Sequence, residues 1–396
     1  MVDDEPDTKK LKTEGYTCPA NEAVHIRIVD DQDKDWSQTK SFHPAFTYHA
    51  FGKDEVIRGY HGLEIQLTFS ARTFDCLVEI AYTSRDDEYD DIITLITNSL
   101  PKNFTQDKEA FLASLRDAPS KPAGTLVDSY TKDDVEVSTY FTVLSEDPQG
   151  RAYLEKMQKL SLWFIEGADD IDVDDPRWSL YVIFDVSQGR HLPMGYITIF
   201  TFNTPLKQGM SQNVRICQAL ILPQYQRQGH GERLVEHIVH QARSMSNVYE
   251  VTVEDPVPGF SMLRDVVDVK TCLSHGFFNV APTEATSTAG HGTQTLTADD
   301  ISSVKKALKL TKLQVQRCYE VLKLRFIDRS NEEEYKAFRL EVKRRLHNLH
   351  AEDLDAMGSA DRRKALLATL YSSLEGEYDR ILKRCGLLRH EPEVSA

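Results

Sequence analysis

The sequence lacks the features that mark secreted and membrane-spanning proteins. Its 396 residues include six scattered cysteines and no Cys-x-x-Cys pair (Cys18, Cys76, Cys217, Cys272, Cys318 and Cys385). Scattered cysteines are typical of a reducing compartment and not of a disulfide framework. No apolar run approaches the ~18 residues of a spanning helix, and no signal-peptide core follows Met1. We therefore expect a protein of the cytoplasm, the nucleus or both, without membrane contact.

Positive charge is also scarce. The chain has 47 Lys and Arg residues against 62 Asp and Glu residues, which gives a net charge of −15. A general nucleic-acid binder depends on cations that neutralise phosphates, so this balance argues against direct nucleic-acid binding. It suits a basic partner better.

Metal-binding patterns are absent as well. Cys272 and His275 have no second ligand pair, so we expect no zinc site. The acidic run from Asp169 to Asp175 lacks the glycine and terminal glutamate of a calcium loop. This run is either solvated or attracts the lysines and arginines of a partner. We expect no metal.

Composition and periodicity divide the chain into five segments. We predict a disordered tail (1–20), a mixed α/β domain (21–140), a second α/β domain (141–280), a linker rich in Ala, Thr, Gly and Ser (281–300), and a helical domain (301–396). Alternating patterns predict strands at residues 23–29, 63–69, 74–82, 179–186, 194–202 and 248–255. Helical spacing predicts helices at residues 150–166, 259–269, 313–326, 332–346 and 364–382.

The most informative segment runs from Arg215 to Gly231. A short apolar run ends at Pro223, a polar turn follows, and Gly229 and Gly231 precede an amphipathic helical pattern. The order strand, glycine loop, helix directs backbone N–H groups and a positive helix end towards one point, which suits a phosphate or pyrophosphate. A tight turn without a ligand is the alternative.

The loop departs from two common phosphate-binding patterns. Leu234 stands where a dinucleotide fingerprint needs its third glycine, and Gly231-Glu-Arg is not the Gly-Lys-Ser/Thr of a P-loop. Residues Gln226 to Gly231 instead resemble the Q/R-x-x-G-x-G/A signature of the GNAT superfamily of N-acetyltransferases. The resemblance implies that this loop holds the pyrophosphate of acetyl-coenzyme A (acetyl-CoA). It also implies that the strand at Ala219–Ile221 splays and pairs with the pantetheine arm.

Two adjacent carboxylates, Glu254 and Asp255, end the next predicted strand. Acetyl transfer to lysine requires removal of a proton from the amine, which a carboxylate can accept directly or through water. Adjacent carboxylates repel one another, and partial burial would raise the pKa of either towards a useful value. A polar strand end without a catalytic role is the alternative.

Several segments resemble the catalytic subunit of the type B histone acetyltransferases. They are residues 51–55, 59–63, 163–166, 171–178, 195–196, 253–256, 263–265 and 335–346, besides the glycine loop. They lie in order over about residues 16–350. The resemblance implies a catalytic GNAT domain at 141–280 and a groove for the amino-terminal tail of histone H4. It also implies a WD-repeat histone-binding partner related to those that bind retinoblastoma protein.

The resemblance also implies roles for single residues. Glu254 matches the general base, and Asp255 and Glu166 match carboxylates that assist it. The positions that match acetyl-CoA contacts are Ala219, Leu220, Ile221, Gln226, Arg227, Gln228, Gly229, His230, Gly231 and Glu232. The positions that match the histone groove are Lys53, Asp54, Glu55, Trp178, Phe200, Thr201 and Phe202.

Some of these positions depart from the family or allow another interpretation. The family often has an acidic residue at Lys53, hydroxyl and amide side chains at 200–202, and glycine at Arg227. A turn that exposes the Arg227 side chain accommodates that change. Glu166 could instead cap the preceding helix, Trp178 could be a core residue, and Cys217 could form an acetyl-cysteine intermediate.

These features together predict an α/β fold with a mixed sheet. A GNAT acetyltransferase core is preceded by a mixed α/β domain and followed by a helical domain. The predicted activity is acetyl transfer from acetyl-CoA to tail lysines of newly synthesised, free histone H4 by direct attack. The alternatives are a GNAT acetyltransferase for another protein or a small amine, and a histone-binding escort with vestigial catalysis.

Overall fold

The contacts within the chain define two units. The computed structural model describes residues 15–33, 35–204, 212–278 and 296–388. The first unit comprises residues up to Phe200 together with Gln218–Gln228, and the second comprises Thr201–Cys217 and the chain from Gly229 onwards. The predicted boundaries near residues 140 and 280 are not boundaries of these units, and the three-domain division stays a prediction.

The described chain forms thirteen strands. They are β1 (Thr17–Pro19), β2 (Val24–Val29), β3 (Val56–Arg58), β4 (Tyr60–His61), β5 (Glu64–Ser70), β6 (Cys76–Ala81), β7 (Ser84–Arg85), β8 (Thr125–Lys132), β9 (Val135–Val143), β10 (Trp178–Asp185), β11 (Leu192–Asn203), β12 (Gln212–Ile221) and β13 (Val248–Val253).

Thirteen α-helices are found in the same residues. They are α1 (Ala20–Ala23), α2 (Tyr48–Phe51), α3 (Ile92–Ile96), α4 (Lys108–Arg116), α5 (Pro148–Met157), α6 (Ser161–Phe164), α7 (His230–Ser244), α8 (Pro258–Ser274), α9 (Ala298–Leu308), α10 (Lys312–Leu324), α11 (Glu332–Leu349), α12 (Ala351–Asp355) and α13 (Ala360–Arg384). No described helix is both long and apolar enough to span a lipid bilayer.

The largest sheet has six strands in the order β13-β12-β11-β10-β9-β8. The pairs β8–β9, β9–β10 and β10–β11 are antiparallel, whereas β12 and β13 run parallel. Parallel neighbours need a crossover, and α7 supplies it here. A three-stranded sheet, β2-β5-β6, and two small pairs, β1-β3 and β4-β7, complete the strand pairing of the described residues.

The first unit has its own hydrophobic core. Ile65, Leu67 and Phe69 of β5 are fully buried and pack with side chains of α5 and α6. Trp163 of α6 is 1% exposed, and its indole N–H donates to the Ser99 carbonyl over 3.0 Å. The helix predicted over 150–166 is interrupted, because residues 158–160 form a 3₁₀ turn that separates α5 from α6.

The second unit has a separate helical core. It buries one face each of α8, α10, α11 and α13, together with Val304 and Leu308 of α9. Three of these helices fall where the carboxyl-terminal periodicity predicts them. The fourth, α8, extends past its predicted end at residue 269 to Ser274.

The predicted tail and the predicted linker both extend too far. Residues 17–20 are ordered, because β1 pairs with β3 and Ala20 is fully buried, so the predicted disordered tail does not reach residue 20. The predicted linker ends earlier than residue 300, because α9 begins at Ala298 behind a capping box of Thr297 and Asp300. Residues 1–14 and 279–295 lie outside the described residues.

Candidate active site

The strand before the glycine loop is paired with β13 along only part of its length. The parallel register ends at Ile216↔Val253, and the Glu254 N–H donates to the Ile216 carbonyl over 2.9 Å. β12 continues to Ile221, and the pairing described for it includes no β13 partner beyond Ile216. One backbone edge is therefore open beside Ala219–Ile221, as the predicted splay requires.

The opposite edge of β12 is held tightly against β11. An ideal Cβ on Gly195 would lie 2.3 Å from the Leu220 carbonyl oxygen, so only glycine fits there. The Leu222 N–H donates to the Met194 carbonyl over 2.8 Å, and the buried Tyr196 hydroxyl donates to Gln218 Oε1 over 2.9 Å. These contacts fix the strand that carries the predicted pantetheine edge.

The loop after β12 is stiffened by its own side chains. The Gln226 amide donates to the Ile221 carbonyl and the Gln228 amide to the Gln224 carbonyl, both over 2.8 Å. Arg227 is exposed and has φ +60°, which explains why glycine is usual at this position and confirms the expected exposed turn. The side chains of Gln226 and Gln228 therefore shape the loop and need not reach a ligand.

Helix α7 begins where the phosphate site is predicted. Gly229 is its N-cap residue in the left-handed conformation, φ +87° and ψ 0°, which favours glycine. His230 is 2% exposed, so its ring is not on the loop surface. The backbone N–H groups of the first turn are then the phosphate donors that this helix end can offer.

The predicted catalytic carboxylates directly follow β13. The side chain of Glu254 is 48% exposed, and its Oε1 lies 3.5 Å from Nη1 of Arg215. Asp255 is exposed and has a positive φ of +33°. Both carboxylates follow the strand end and are accessible to solvent, and their catalytic role stays a prediction.

Sequence reasoning missed Arg215 as part of this site. Its guanidinium carbon lies 4.8 Å from the ring centre of Phe202, while its Nη1 faces Glu254. Thr201 and Phe202 are partly buried residues near the end of β11. Because Arg215 lies 39 residues before Glu254, only the parallel register of β12 and β13 brings them together.

The first unit contains the other predicted site residues. Glu166 is exposed in the turn after α6, and the next N–H, that of Gly167, donates to the Tyr48 hydroxyl over 2.8 Å. Glu166 belongs to the first unit, whereas Glu254 and Asp255 belong to the second. Convergence of the three carboxylates on one reacting group stays a prediction.

Trp178 and Phe200 form an aromatic shelf. Their ring centres are 4.7 Å apart, and the guanidinium carbon of Arg177 lies 4.5 Å from the Phe200 ring centre. Trp178 is only partly buried against the first core, so it presents a face to solvent as well. A shelf of this kind can support the aliphatic stem or the cation of a basic side chain.

The acidic run is largely neutralised by the protein itself. Asp170 pairs with Lys159 over 2.6 Å and Asp174 with Arg151 over 3.1 Å. Asp175 accepts from Arg177, whose hydrogen bonds lower the pKa of Asp175 to about 2. These three carboxylates therefore stabilise the loop and are not free for a basic partner.

Residues 53–55 divide into two kinds. Lys53 and Asp54 are exposed in the turn after α2. The Glu55 carboxylate accepts from the Thr47 N–H over 2.6 Å and from the Thr47 hydroxyl over 2.7 Å. Glu55 therefore closes this turn, and both bonds engage the same carboxylate oxygen, Oε2.

A groove in the second unit was also missed. It has a volume of about 620 Å³, and its lining includes Val253 and Pro256, which lie on either side of the carboxylate pair in the sequence. Asp265 lies in its wall and accepts from Arg317 over 2.7 Å, and Arg317 also donates to Glu377 over 2.7 Å. Burial raises the pKa of Asp265 against the opposing effect of Arg317. The family-like segments at 263–265 and 335–346 were the available signals, because Asp265 and Arg345 line this groove.

The cysteine and metal alternatives receive no support. Cys217 is partly buried, and its Sγ lies 3.7 Å from the Arg215 carbonyl. Cys272 is fully buried, and His275 Nδ1 lies 3.0 Å from the Thr271 carbonyl. Within the described residues, no cluster of His, Cys, Asp and Glu side chains suits a metal ion.

Two family models match the chain. Histone acetyl transferase HAT1 N-terminus matches residues 16–166, and Acetyltransferase (GNAT) family matches residues 140–258. The second range contains the splayed strand, the glycine loop and the carboxylate pair.

Curated relatives cover most of the chain. The type B catalytic subunit of histone acetyltransferase from Mus musculus is 32% identical over 348 residues, which is 84% of this chain and 80% of that protein. The Candida glabrata subunit of the same name is 31% identical over 95% of both chains. The Kluyveromyces lactis subunit is 29% identical over 95% of this chain and 94% of its own. The chain thus belongs to the family of type B histone acetyltransferase catalytic subunits, which are acetyl-CoA-dependent acetyltransferases with a GNAT fold.

Proposed function

We propose that this chain transfers the acetyl group of acetyl-CoA to lysines in the amino-terminal tail of newly synthesised, free histone H4. The observation that carries the proposal is the position of Glu254. Its N–H donates to the Ile216 carbonyl where the β12–β13 pairing ends, so Glu254 stands at the last rung of that ladder. In a GNAT fold the end of that pairing receives the thioester.

The cofactor contacts follow from the backbone. The open edge at Ala219–Ile221 can pair with the amide groups of the pantetheine arm as a further strand would. The left-handed Gly229 and the first turn of the 15-residue helix α7 supply N–H donors and a positive helix end for the pyrophosphate. Side chains at 226–228 hold the loop in shape.

Glu254 acts as the general base. A lysine amine with an ordinary pKa of ~10.4 is neutral in only roughly one molecule in two thousand at pH 7, so a proton must leave before or during attack. The ammonium first passes a proton to Glu254, directly or through water, and the neutral amine nitrogen then bonds to the thioester carbonyl carbon. The carbon–sulfur bond breaks to release the thiolate of coenzyme A, which takes up the second amine proton. The half-exposed Glu254 side chain is accessible to such an amine. Asp255 and Glu166 assist by favouring the approach of the cation.

The substrate surfaces suit an extended basic peptide. The groove of the second unit is not counted among these surfaces, because Arg264, Arg317, Arg345 and Arg380 outnumber Asp265 and Glu377 in its lining. The shelf of Trp178 and Phe200 offers aromatic faces for a lysine stem. Lys53, Asp54, Glu55, Thr201 and Phe202 stay predicted substrate positions.

A WD-repeat histone-binding protein is the proposed partner. Family membership supports a nuclear role, and newly synthesised histones imply a cytoplasmic share. The net charge of −15 suits a histone better than a nucleic acid.

The test is mass spectrometry of histone H4 incubated with the purified chain and acetyl-CoA. We expect acetylation confined to tail lysines, and Glu254→Gln to lower kcat by ~10²-fold or more. Calorimetry should find unchanged acetyl-CoA affinity in that variant, because the pyrophosphate and pantetheine contacts remain. Glu352→Gln, which changes an exposed glutamate of α12, serves as the matched control.

Three outcomes would contradict the proposal in different ways. Near-normal turnover in Glu254→Gln would remove Glu254 from the mechanism. Equal turnover of small free amines and tail peptides would favour the small-amine alternative. Histone binding without acetyl transfer would favour the escort.

A further inference from the structure

The first turn of α7 contains a carboxylate whose two oxygens are both engaged. Glu232 is the third residue of this helix, and its side chain is 17% exposed. Its Oε1 lies 2.5 Å from Nζ of Lys270, and its Oε2 lies 3.0 Å from Nη2 of Arg384. Glu232 was predicted as a cofactor contact, yet its own charge would repel a phosphate.

The two cations come from different helices. Lys270 belongs to α8, and Arg384 is the last residue of the 25-residue helix α13. Arg384 lies 152 residues from Glu232 along the sequence. Nothing in the local sequence of the glycine loop indicates this arrangement.

The position of Arg384 is fixed by the second core. Ile381 and Leu382, in the same turn of α13, are 0% and 2% exposed. Cys385 Sγ lies 3.9 Å from the Val266 carbonyl of α8. These contacts fix the end of α13, so the Arg384 side chain lies beside Glu232 in the first turn of α7.

The balance of charge at this helix end is positive. Within the two ion pairs, Lys270 and Arg384 carry two positive charges against the single negative charge of Glu232, and Glu236, one turn further along α7, also acts on Lys270. Partial burial acts to lower the pKa of Lys270, but the hydrogen bond to Glu232 and the charges of Glu232 and Glu236 together outweigh it and raise that pKa, so the ammonium stays charged. The net positive charge adds to the partial charge of the helix end.

We propose that Arg384, held with Lys270 on Glu232, recognises the phosphate groups of acetyl-CoA, so that the carboxyl-terminal helix forms part of the cofactor site. This inference rests on the proposed placement of the pyrophosphate at α7. The chemistry recognised is a phosphate, either the pyrophosphate or the 3′-phosphate of the nucleotide. Glu232 positions Arg384, and Lys270 offsets the negative charge of Glu232.

The test compares donors that keep the thioester and lose phosphates. In the full-length chain, Arg384→Gln should lower kcat/KM for acetyl-CoA by about three- to tenfold, with most of the change in KM. For S-acetylpantetheine, which has no phosphate, kcat/KM should be unchanged. Arg384→Lys, which keeps the charge, should retain most of the wild-type value.

Acetyl-dephospho-CoA identifies which phosphate is recognised. If the defect of Arg384→Gln persists with this donor, the pyrophosphate is the group contacted. If the defect disappears with this donor, Arg384 contacts the 3′-phosphate. Either result supports phosphate recognition.

The matched control is Lys383→Gln, which removes the same charge from the neighbouring exposed position of α13. It should behave like the wild type. An equal loss in Lys383→Gln, an equal loss with S-acetylpantetheine, or no loss in Arg384→Gln would each overturn the proposal. Failure of the cofactor placement itself is distinguishable, since Gly229→Val at the start of α7 would then leave acetyl-CoA binding unchanged.

Discussion

Asp75 and Lys156 form one of the less exposed ion pairs of the first unit. Their side chains are 16% and 25% exposed, and Lys156 Nζ lies 2.6 Å from Asp75 Oδ1. Thr73 and Asn103 also donate to this carboxylate, over 2.8 and 3.0 Å. Burial acts to raise the pKa of Asp75, but these hydrogen bonds outweigh it and lower the pKa below its ordinary value.

The pair predicts a pH-dependent stability. A carboxyl group with a lowered pKa in the folded state stabilises the fold above its unfolded-state pKa. That stabilisation is lost as the pH falls through the folded-state pKa. Asp75→Asn should therefore lower the free energy of unfolding by about 1–3 kcal/mol at pH 7. The difference from wild type should shrink as the pH falls from about 5 to 3.

Urea unfolding across that pH range measures the effect. Asp87→Asn is the control, because Asp87 is an exposed aspartate of the same unit. A gap between wild type and Asp75→Asn that stays constant with pH would show that the lost contact is not electrostatic.

Single residues also mark where sequence reasoning ended. Gly229 was singled out because the order of strand, loop and helix is visible in the local sequence. Glu254 was singled out as one of two carboxylates at a predicted strand end and by resemblance, and its role stays a prediction. The engagement of Glu55 with Thr47, and of Glu232 with Lys270 and Arg384, could not be predicted. Both glutamates resemble ligand contacts in the sequence, but folding gives their carboxylates partners within the chain.

Secondary-structure elements were predictable where the periodicity of apolar residues was strong. Helix α7 buries Leu234, Val235, Ile238 and Val239, which form the stripe that the sequence shows. The hairpin of β8 and β9 was missed, because most of β8 is exposed or partly exposed and lacks alternation. The sequence signal for this hairpin was its turn. Asp133 and Asp134 both have a positive φ, as a two-residue hairpin turn requires, and aspartate tolerates this conformation better than most residues.

The entry to α7 gives a prediction for that element. Gly229→Val should abolish detectable acetyl-CoA binding in calorimetry, because valine is strained at φ +87° and the first-turn N–H groups would lose their arrangement. Gly276→Val is the matched control. Gly276 also has a positive φ, +75°, with nothing within 4 Å of an added Cβ, and it follows α8 instead of preceding α7.

Both variants should lose a similar amount of stability, since the backbone strain is alike. Only Gly229→Val should lose the cofactor. If acetyl-CoA bound equally well to both, the loop would not be the phosphate site.

At the scale of the whole molecule, two large hydrophobic cores formed by different residues stand out among the described residues, besides a small cluster around Phe111. The first contains strands and helices before residue 223, and the second contains only residues beyond 261. The sequence indicated this change from mixed to helical structure. It did not indicate that the division by contacts would pass through β11 and β12, because that depends on side-chain contacts between distant segments.

The carboxyl-terminal helix is a structural member of the second core. Leu382 of α13 is 2% exposed within that core, whereas Leu340 of α11 is 50% exposed. Leu382→Ala should therefore lower the free energy of unfolding by about 2–5 kcal/mol through lost burial and a cavity. The same substitution at Leu340 should cost less than about 1 kcal/mol.

Hydrogen exchange followed by mass spectrometry locates the effect. Amide protection should fall in α10 and α13 of Leu382→Ala, because both helices bury side chains in this core. Acetyl-CoA affinity should fall with it, since a loosened α13 no longer fixes Arg384 beside Glu232. Unchanged protection in α10 together with unchanged affinity would mean that the last helix neither completes the core nor reaches the cofactor.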